Sequence, residues 1–309
     1  MGKYIAKRLL LIIPVIIGIT LFIFLVLSMA PGDPASLILG QDATQAELAA
    51  KRVELGLDKN VFLRYFDYMS NVLRGDFGQS WLSGKSVIKE FLDRVPHTLI
   101  LACVSLCLTT IIGIPVGTIA AIRQNKSVDT FSLAFALVFS STPAFWFAML
   151  TQILFAQMLG WFPAIGVGSL KHYILPAITL SAGQLAAQIR LTRSSILDVT
   201  GQDYIRTARA KGANEKYTVY HHVLRNGLLP AITNLGITFA NSFGGAIVTE
   251  TVFSVPGIGS YMINAAKTRD VPIVMGVIIF VAIFVAVVNL LVDLIYAFVD
   301  PRVKLGYLS

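Results

Sequence analysis

Apolar residues are not distributed evenly along this chain; they fall into six long runs separated by polar stretches. The runs cover residues 9–29, 98–122, 131–161, 173–192, 228–255 and 273–299. A helix needs about 20 consecutive apolar residues to cross the roughly 30 Å hydrocarbon core of a bilayer, and each run is long enough. The third contains Pro143, which predicts an interruption. The first, preceded by Lys3, Lys7 and Arg8, has a cleaved signal peptide as its rival reading, because Ser28-Met-Ala30 resembles a cleavage site. The run exceeds an ordinary signal-peptide core and Pro31 follows at once, so an uncleaved span is expected.

Between the first two runs, residues 31–97 alternate polar and apolar positions at helical spacing. The turn cluster Pro31-Gly-Asp-Pro34 opens the segment. Thr44 and Glu47 have capping-box spacing, and Gly56 can close that helix. Asp58 is the predicted cap of a second helix with Val61, Phe62, Tyr65, Phe66, Met69, Val72 and Leu73 on one side. Val87, Ile88, Phe91, Leu92 and Val95 form a third stripe ending at Pro96. These helices either pack on one another or on the bilayer surface, or form a platform for an external protein.

Composition sharpens the picture. Of 309 residues 55% are hydrophobic and 14% charged, against about 25% charged in soluble domains. The chain therefore reads as all-α and polytopic, with six transmembrane helices and a short external helical segment between the first two. The net charge of +8 does not indicate nucleic acid, because the basic residues sort by membrane side. With the N-terminus inside, the short inner segments are the basic ones, which puts both termini in the cytoplasm. Cys103 and Cys107 sit i, i+4 in an apolar run and are expected to be small buried hydrophobes. Gly84-Lys-Ser86 ends like a phosphate-binding loop, but Gln79 occupies the position of the required first glycine. No ATP site is expected in this chain.

The longest charged stretch of the second half, 198–230, lies between the fourth and fifth runs. It predicts a basic helix carrying Tyr204, Ile205, Arg206, Ala208, Arg209 and Lys211, then a break at Gly212. A second helix follows, capped by Asn214 with Glu215 in its first turn. Arg206-Thr-Ala-Arg-Ala-Lys-Gly212, followed by His222-Val-Leu-Arg-Asn226, resembles the cytoplasmic loop of ATP-binding cassette (ABC) importer permeases of the dipeptide, oligopeptide and nickel branch. Gly212 and Ala208 fall on the Gly and second Ala of the broader family pattern; Arg206 and Thr207 stand at its Glu and first Ala. Pro31-Gly-Asp-Pro34, Gly75-Asp-Phe-Gly78 and Val248-Thr-Glu-Thr-Val-Phe253 are similar to the first-permease type of that branch.

The resemblance implies a type I importer fold in a bacterial or archaeal inner membrane. It divides the chain into a first span (1–30), an external segment (31–97) and a permease core (98–300) with an ATPase-docking loop (193–229). Arg206, Ala208, Arg209, Lys211, Gly212, Ala213, Asn214 and Glu215 would form the docking contact. It further implies a second permease, two ATPase subunits that hold the ATP and magnesium, and an external substrate-binding protein; this chain would carry no cofactor or metal.

Polar residues recur in the fourth and fifth runs. Ser181, Gln184 and Gln188 share one helical face, as do Asn234, Thr238 and Asn241. Polar side chains in lipid need partners or water. Interhelical hydrogen bonding and a polar lining for a translocation path both answer that need; the lining is the expectation. Glu250 and Asp293, the acids within the runs, lie toward the ends, which disfavours a carrier coupled to protons at mid-membrane. His221 and His222 point to different helix faces, so no joint metal site is expected.

Overall fold

The computed structural model describes residues 2–30, 32–40 and 42–299. Those residues are almost entirely helical, with a single isolated bridge between Gln79 and Ser86. The chain divides into two compact units. One gathers residues up to His97 with Pro256–Leu290; the other comprises Thr98–Val255 with Leu291–Tyr296.

The first unit begins with α1 (Gly2–Met29), then α2 (Pro34–Leu39), α3 (Gln45–Glu54) and α4 (Val61–Leu73). The capping box at Thr44 forms as its spacing predicts: Thr44 N–H donates to Glu47 and Glu47 N–H donates back to the Thr44 hydroxyl. The cap of α4 is Asn60, not Asp58. Asn60 is extended and its side chain accepts from Phe62 N at 2.9 Å, whereas Asp58 lies in the preceding turn. Tyr65 of α4 is buried beside Phe24, and its hydroxyl meets Thr20 at 2.9 Å. In the same unit Asp270 accepts from Ser80 at 2.6 Å, pinning the turn before α5 (Val87–Leu108) to the link between α13 (Ile258–Thr268) and α14 (Val271–Val299).

Helix α5 does not stop at Pro96. It continues through it, then through a π-helical turn at Thr109–Gly113 into α6 (Ile114–Ile122). The cost of an interior proline, about 3 kcal/mol, is offset by burial on both sides, at Val87 and Phe91 before it and Leu101 and Ala102 after it. Pro115 lacks the N–H that would close the preceding turn, and the wider π turn sits just before it. Cys103 and Cys107 are exposed on α5, opposite the buried Leu101, Ser105 and Thr109, which corrects the expectation of burial.

The second unit is organised on α9 (Lys171–Thr200), a 30-residue helix about 45 Å long. Helices α6, α7 (Ser127–Ser141), α8 (Ala144–Thr151) and α12 (Leu224–Val252) pack against it. Small residues let them approach. A Cβ on Gly117 would come within 2.7 Å of both Ile189 O and Thr192 Cβ, and one on Gly227 within 3.1 Å of Ile196 Cα. An apolar core of Leu101, Ala148, Tyr173, Leu175, Leu180, Ala246, Phe253 and Val255 fills one end.

Among the described residues, four helical stretches are long and apolar enough to cross a membrane: 10–29, 87–122, 215–252 and 271–294. The third expected span is broken. Helix α7 and the helical segment 144–158 meet at 101° across Thr142 and Pro143, and count as a fifth span if taken together. Helix α9 has the length but not the apolarity, because its side chains serve other helices more than lipid.

Gly117→Ala should lower stability by about 1–3 kcal/mol, since the intruding methyl meets backbone and a branched side chain. Gly183→Ala, with open space around the new methyl, should be neutral or mildly stabilising. Thermal unfolding of the detergent-solubilised chain separates the two.

Candidate functional site

Two constellations carry chemistry, and both depend on α9. The first is the polar hairpin that follows it. Helix α10 (Asp203–Ala210) turns its Ile205 inward, where it is fully buried with Ile196, Val223 and Ala121. This apolar plug fastens the hairpin to the ends of α9 and α12. Tyr204, Arg206, Arg209 and Lys211 remain exposed on its outer side, with Ala208 half-buried.

Gly212 ends α10 at φ +83°, a left-handed conformation that strains any L side chain. A Cβ there would meet nothing in this chain, so the requirement is torsional. Ala213 N–H bonds back to Ala208 O at 3.2 Å and closes the helix end. Asn214 caps α11 (Glu215–Thr218) by accepting from Lys216 N at 3.1 Å. A π turn, Val219–Val223, leads into α12.

Arg209 and Glu215 close the hairpin across Gly212. The guanidinium donates twice to the carboxylate, Nη2 to Oε1 at 2.7 Å and Nε to Oε2 at 3.0 Å. These hydrogen bonds hold the Glu215 carboxyl below the ordinary glutamate range. Arg209 is thus engaged inside the hairpin. Arg206, 3.7 Å from Asp203 on the same helix, and Lys211 present the exposed positive charge. Tyr217 is exposed as well and stacks on His221 at 4.2 Å between ring centres.

The second constellation is polar and interior. Gln188 is fully buried. Its oxygen accepts from Asn234 Nδ2 at 2.9 Å, and its amide donates to Ala231 O at 3.1 Å and Thr192 Oγ1 at 3.3 Å. Asn234 also donates to Thr238 at 3.3 Å. Four residues away on α9, Gln184 donates to Ser242 Oγ at 2.9 Å and accepts from Ser105 at 2.9 Å. Gly113 makes room for this layer: a Cβ there would fall 2.9 Å from Gln188 Cγ.

The structure therefore brings Gln184, Gln188, Asn234 and Thr238 into a ladder between α5, α9 and α12. Ser181 stands apart and donates to Ile178 O of its own helix, while Asn241 is exposed. Glu250 is buried, and its carboxylate accepts from Thr98 at 2.6 Å.

Sequence reasoning did not find Ser105 and Ser242, which complete the ladder, because small hydroxyl residues are common in apolar helices. It also passed over Asp129, Arg190 and Arg193. Asp129 and Arg193 form a bidentate ion pair 64 residues apart in sequence, with Nη2 to Oδ2 at 2.8 Å. The available signal was the i, i+3 spacing of two arginines just after the fourth apolar run begins to give way to the charged stretch.

Residues 113–305 match the family described as binding-protein-dependent transport system inner membrane component, and residues 1–102 match its N-terminal region family. The glutathione transport system permease protein GsiC of Escherichia coli strain K12 is 39% identical over 304 residues, covering 98% of this chain and 99% of that protein. The dipeptide transport system permease protein DppB of Alkalihalophilus pseudofirmus is 38% identical over 332 residues, covering 98% and 100%. Among solved structures, an inward-facing MetNI methionine ABC transporter chain superposes with a TM-score of 0.58 at 20% identity, over 68% of this chain and 96% of that one. That similarity concerns the fold.

Gln188→Leu should cost about 1–3 kcal/mol, because it removes from the interior the acceptor of one Asn234 amide hydrogen and the second donor to the Ala231 carbonyl. Adding Asn234→Leu should recover part of the loss. A double-mutant cycle on the unfolding of the solubilised chain reads the coupling.

Proposed function

This chain belongs to the family of binding-protein-dependent transport system inner membrane components, and on that premise we propose how it is powered and what it carries. It is a permease subunit of an ABC importer and not itself an ATPase. Its substrates are short peptides. Glutathione, itself a tripeptide, falls in the same class, and the relatives named for glutathione and for dipeptides support this reading.

The chain pairs with a second, similar permease, two ATPase subunits and an external binding protein. Both termini and the hairpin of α10 and α11 lie in the cytoplasm, with six membrane crossings in which the bent pair α7–α8 and the polar α9 supply two. The observation that carries the mechanism is the way the hairpin is held. Its inner side is fixed by Ile205, while Arg206, Lys211 and Gly212 face outward and Ala208 is half-buried beside them. A groove on an ATPase subunit receives that outer side, with acidic groups opposite Arg206 and Lys211. Ala208 and the side-chain-free Gly212 allow close approach.

When ATP draws the two ATPase subunits together, the hairpin moves and carries the ends of α9 and α12 with it. The polar ladder between those helices is where the translocation path opens. Gln184, Gln188, Asn234 and Thr238 exchange one another for water and substrate, and Ser181 and Asn241 extend the lining. Alternating access follows from this exchange, because the ladder cannot be satisfied internally and line an open path at once.

Gly212→Pro or Ala208→Glu should abolish uptake of radiolabelled dipeptide by the reconstituted complex while membrane insertion stays intact. Normal uptake in either variant contradicts the docking contact. Purification from the native membrane should bring down ATPase subunits. Uptake driven by an ion gradient in vesicles holding this chain alone would instead make it a secondary carrier.

A further inference from the structure

At 15 residues, about 22 Å, helix α7 falls short of the hydrocarbon core of a bilayer. It ends at Ser141, and the chain turns by 101° before α8. A helix that stops short leaves its last carbonyls without partners. Thr142 answers for one of them, donating to Val138 O at 2.7 Å. Ser140 donates to Leu137 O at 3.0 Å, and from α9 Arg190 Nη1 donates to Ser140 Oγ at 3.1 Å and reaches Ala136 O at 3.5 Å, one turn before the helix end. A cation at a helix C-terminus also suits the helix dipole.

The other end of α7 is held by the same helix. Asp129 sits in the first turn of α7 with its side chain 4% exposed. Arg193 grips its two oxygens, and Asn125 N–H donates to Oδ2 at 2.9 Å. Asn125 itself adopts φ +61°, a conformation asparagine tolerates better than most residues. One carboxylate thereby ties the turn after α6, the start of α7 and the body of α9.

Arg190 and Arg193 are i, i+3 on α9 and share a face. Seven residues after Arg193, α9 ends at Thr200 and the chain enters α10 of the hairpin. A forked arginine–carboxylate pair fixes orientation as well as distance, and a second arginine on the same face of α9 reaches the far end of α7. We propose that Arg190 and Arg193 are positioning residues that clasp α7 to α9 at both ends. Movement of the hairpin then carries the half-helix as one rigid piece with α9, and the break at Thr142–Pro143 takes up the bend. The clasp stays closed through the transport cycle. This inference rests on the hairpin being the site of power input.

The test uses the whole complex in proteoliposomes, with dipeptide-loaded binding protein, and reads peptide taken up per ATP hydrolysed. Arg193→Lys keeps the charge but not the two-pronged grip, and Asp129→Asn removes the charge; membrane abundance is followed for both. Each should lower the uptake-to-ATP ratio about fivefold or more, while ATP hydrolysis persists. With Cys103 and Cys107 replaced by Ser, a short bismaleimide joining Asp129→Cys to Arg193→Cys should return the ratio to within about twofold of the parent.

A wild-type ratio in Arg193→Lys overturns the clasp. So does a cross-linked pair that stays uncoupled, which would mean the two helices must part during the cycle. If the unmodified complex takes up no peptide with ATP, the failure lies in the functional reading itself, and the clasp falls with it.

Discussion

Carrying polar side chains through a lipid-embedded bundle is the constraint from which this structure follows. Water is absent from the hydrocarbon core, so each buried amide and hydroxyl must find a partner in the protein. Helix α9 meets that demand by standing among its neighbours. Gln188 uses both ends of its amide, on Asn234, Ala231 and Thr192, and Gln184 does the same with Ser242 and Ser105. Individual bonds of this kind contribute under about 1 kcal/mol on average. What they confer is register. Gln188 can satisfy its oxygen and its amide together only at one rotation and one height of α12 against α9. Glycines at 113, 117 and 227 then set how closely the helices approach.

That register determines what the hairpin can do. Because α10 is plugged by Ile205 into the ends of α9 and α12, a push on the hairpin reaches the two helices that own the ladder. Arg209 and Glu215 bridge the tip across Gly212. A permease that hydrolyses no ATP needs a stiff element that another protein can move, and on the proposed reading the hairpin is that element.

Much of this was legible in the sequence. Gly212 announces a left-handed residue, Asn214 and Thr44 announce helix starts, and four of the six apolar runs fall on helices long and apolar enough to cross a membrane among the described residues. These features are local, and local chemistry is what periodicity and capping rules report. The rest depends on contacts distant in sequence. Pro143 signals a break, but nothing in the spacing fixes a 101° turn. Arg209 reads as an outward-facing cation until the Gly212 turn swings Glu215 within reach. Pro96 looks like a terminator because the burial of Phe91 before it and Leu101 after it is invisible locally. Cys103 and Cys107 look like core residues because hydropathy does not say which face of a helix meets the protein.

The plug at Ile205 also separates two kinds of adhesion in one short segment. Its hold on the transmembrane body is apolar, and dissolved ions screen such contacts little. The exposed cations of the hairpin act through fields that fade within about 8 Å at physiological ionic strength. Raising the salt therefore loosens whatever those cations grip from outside, and leaves the lever fixed to its own fulcrum.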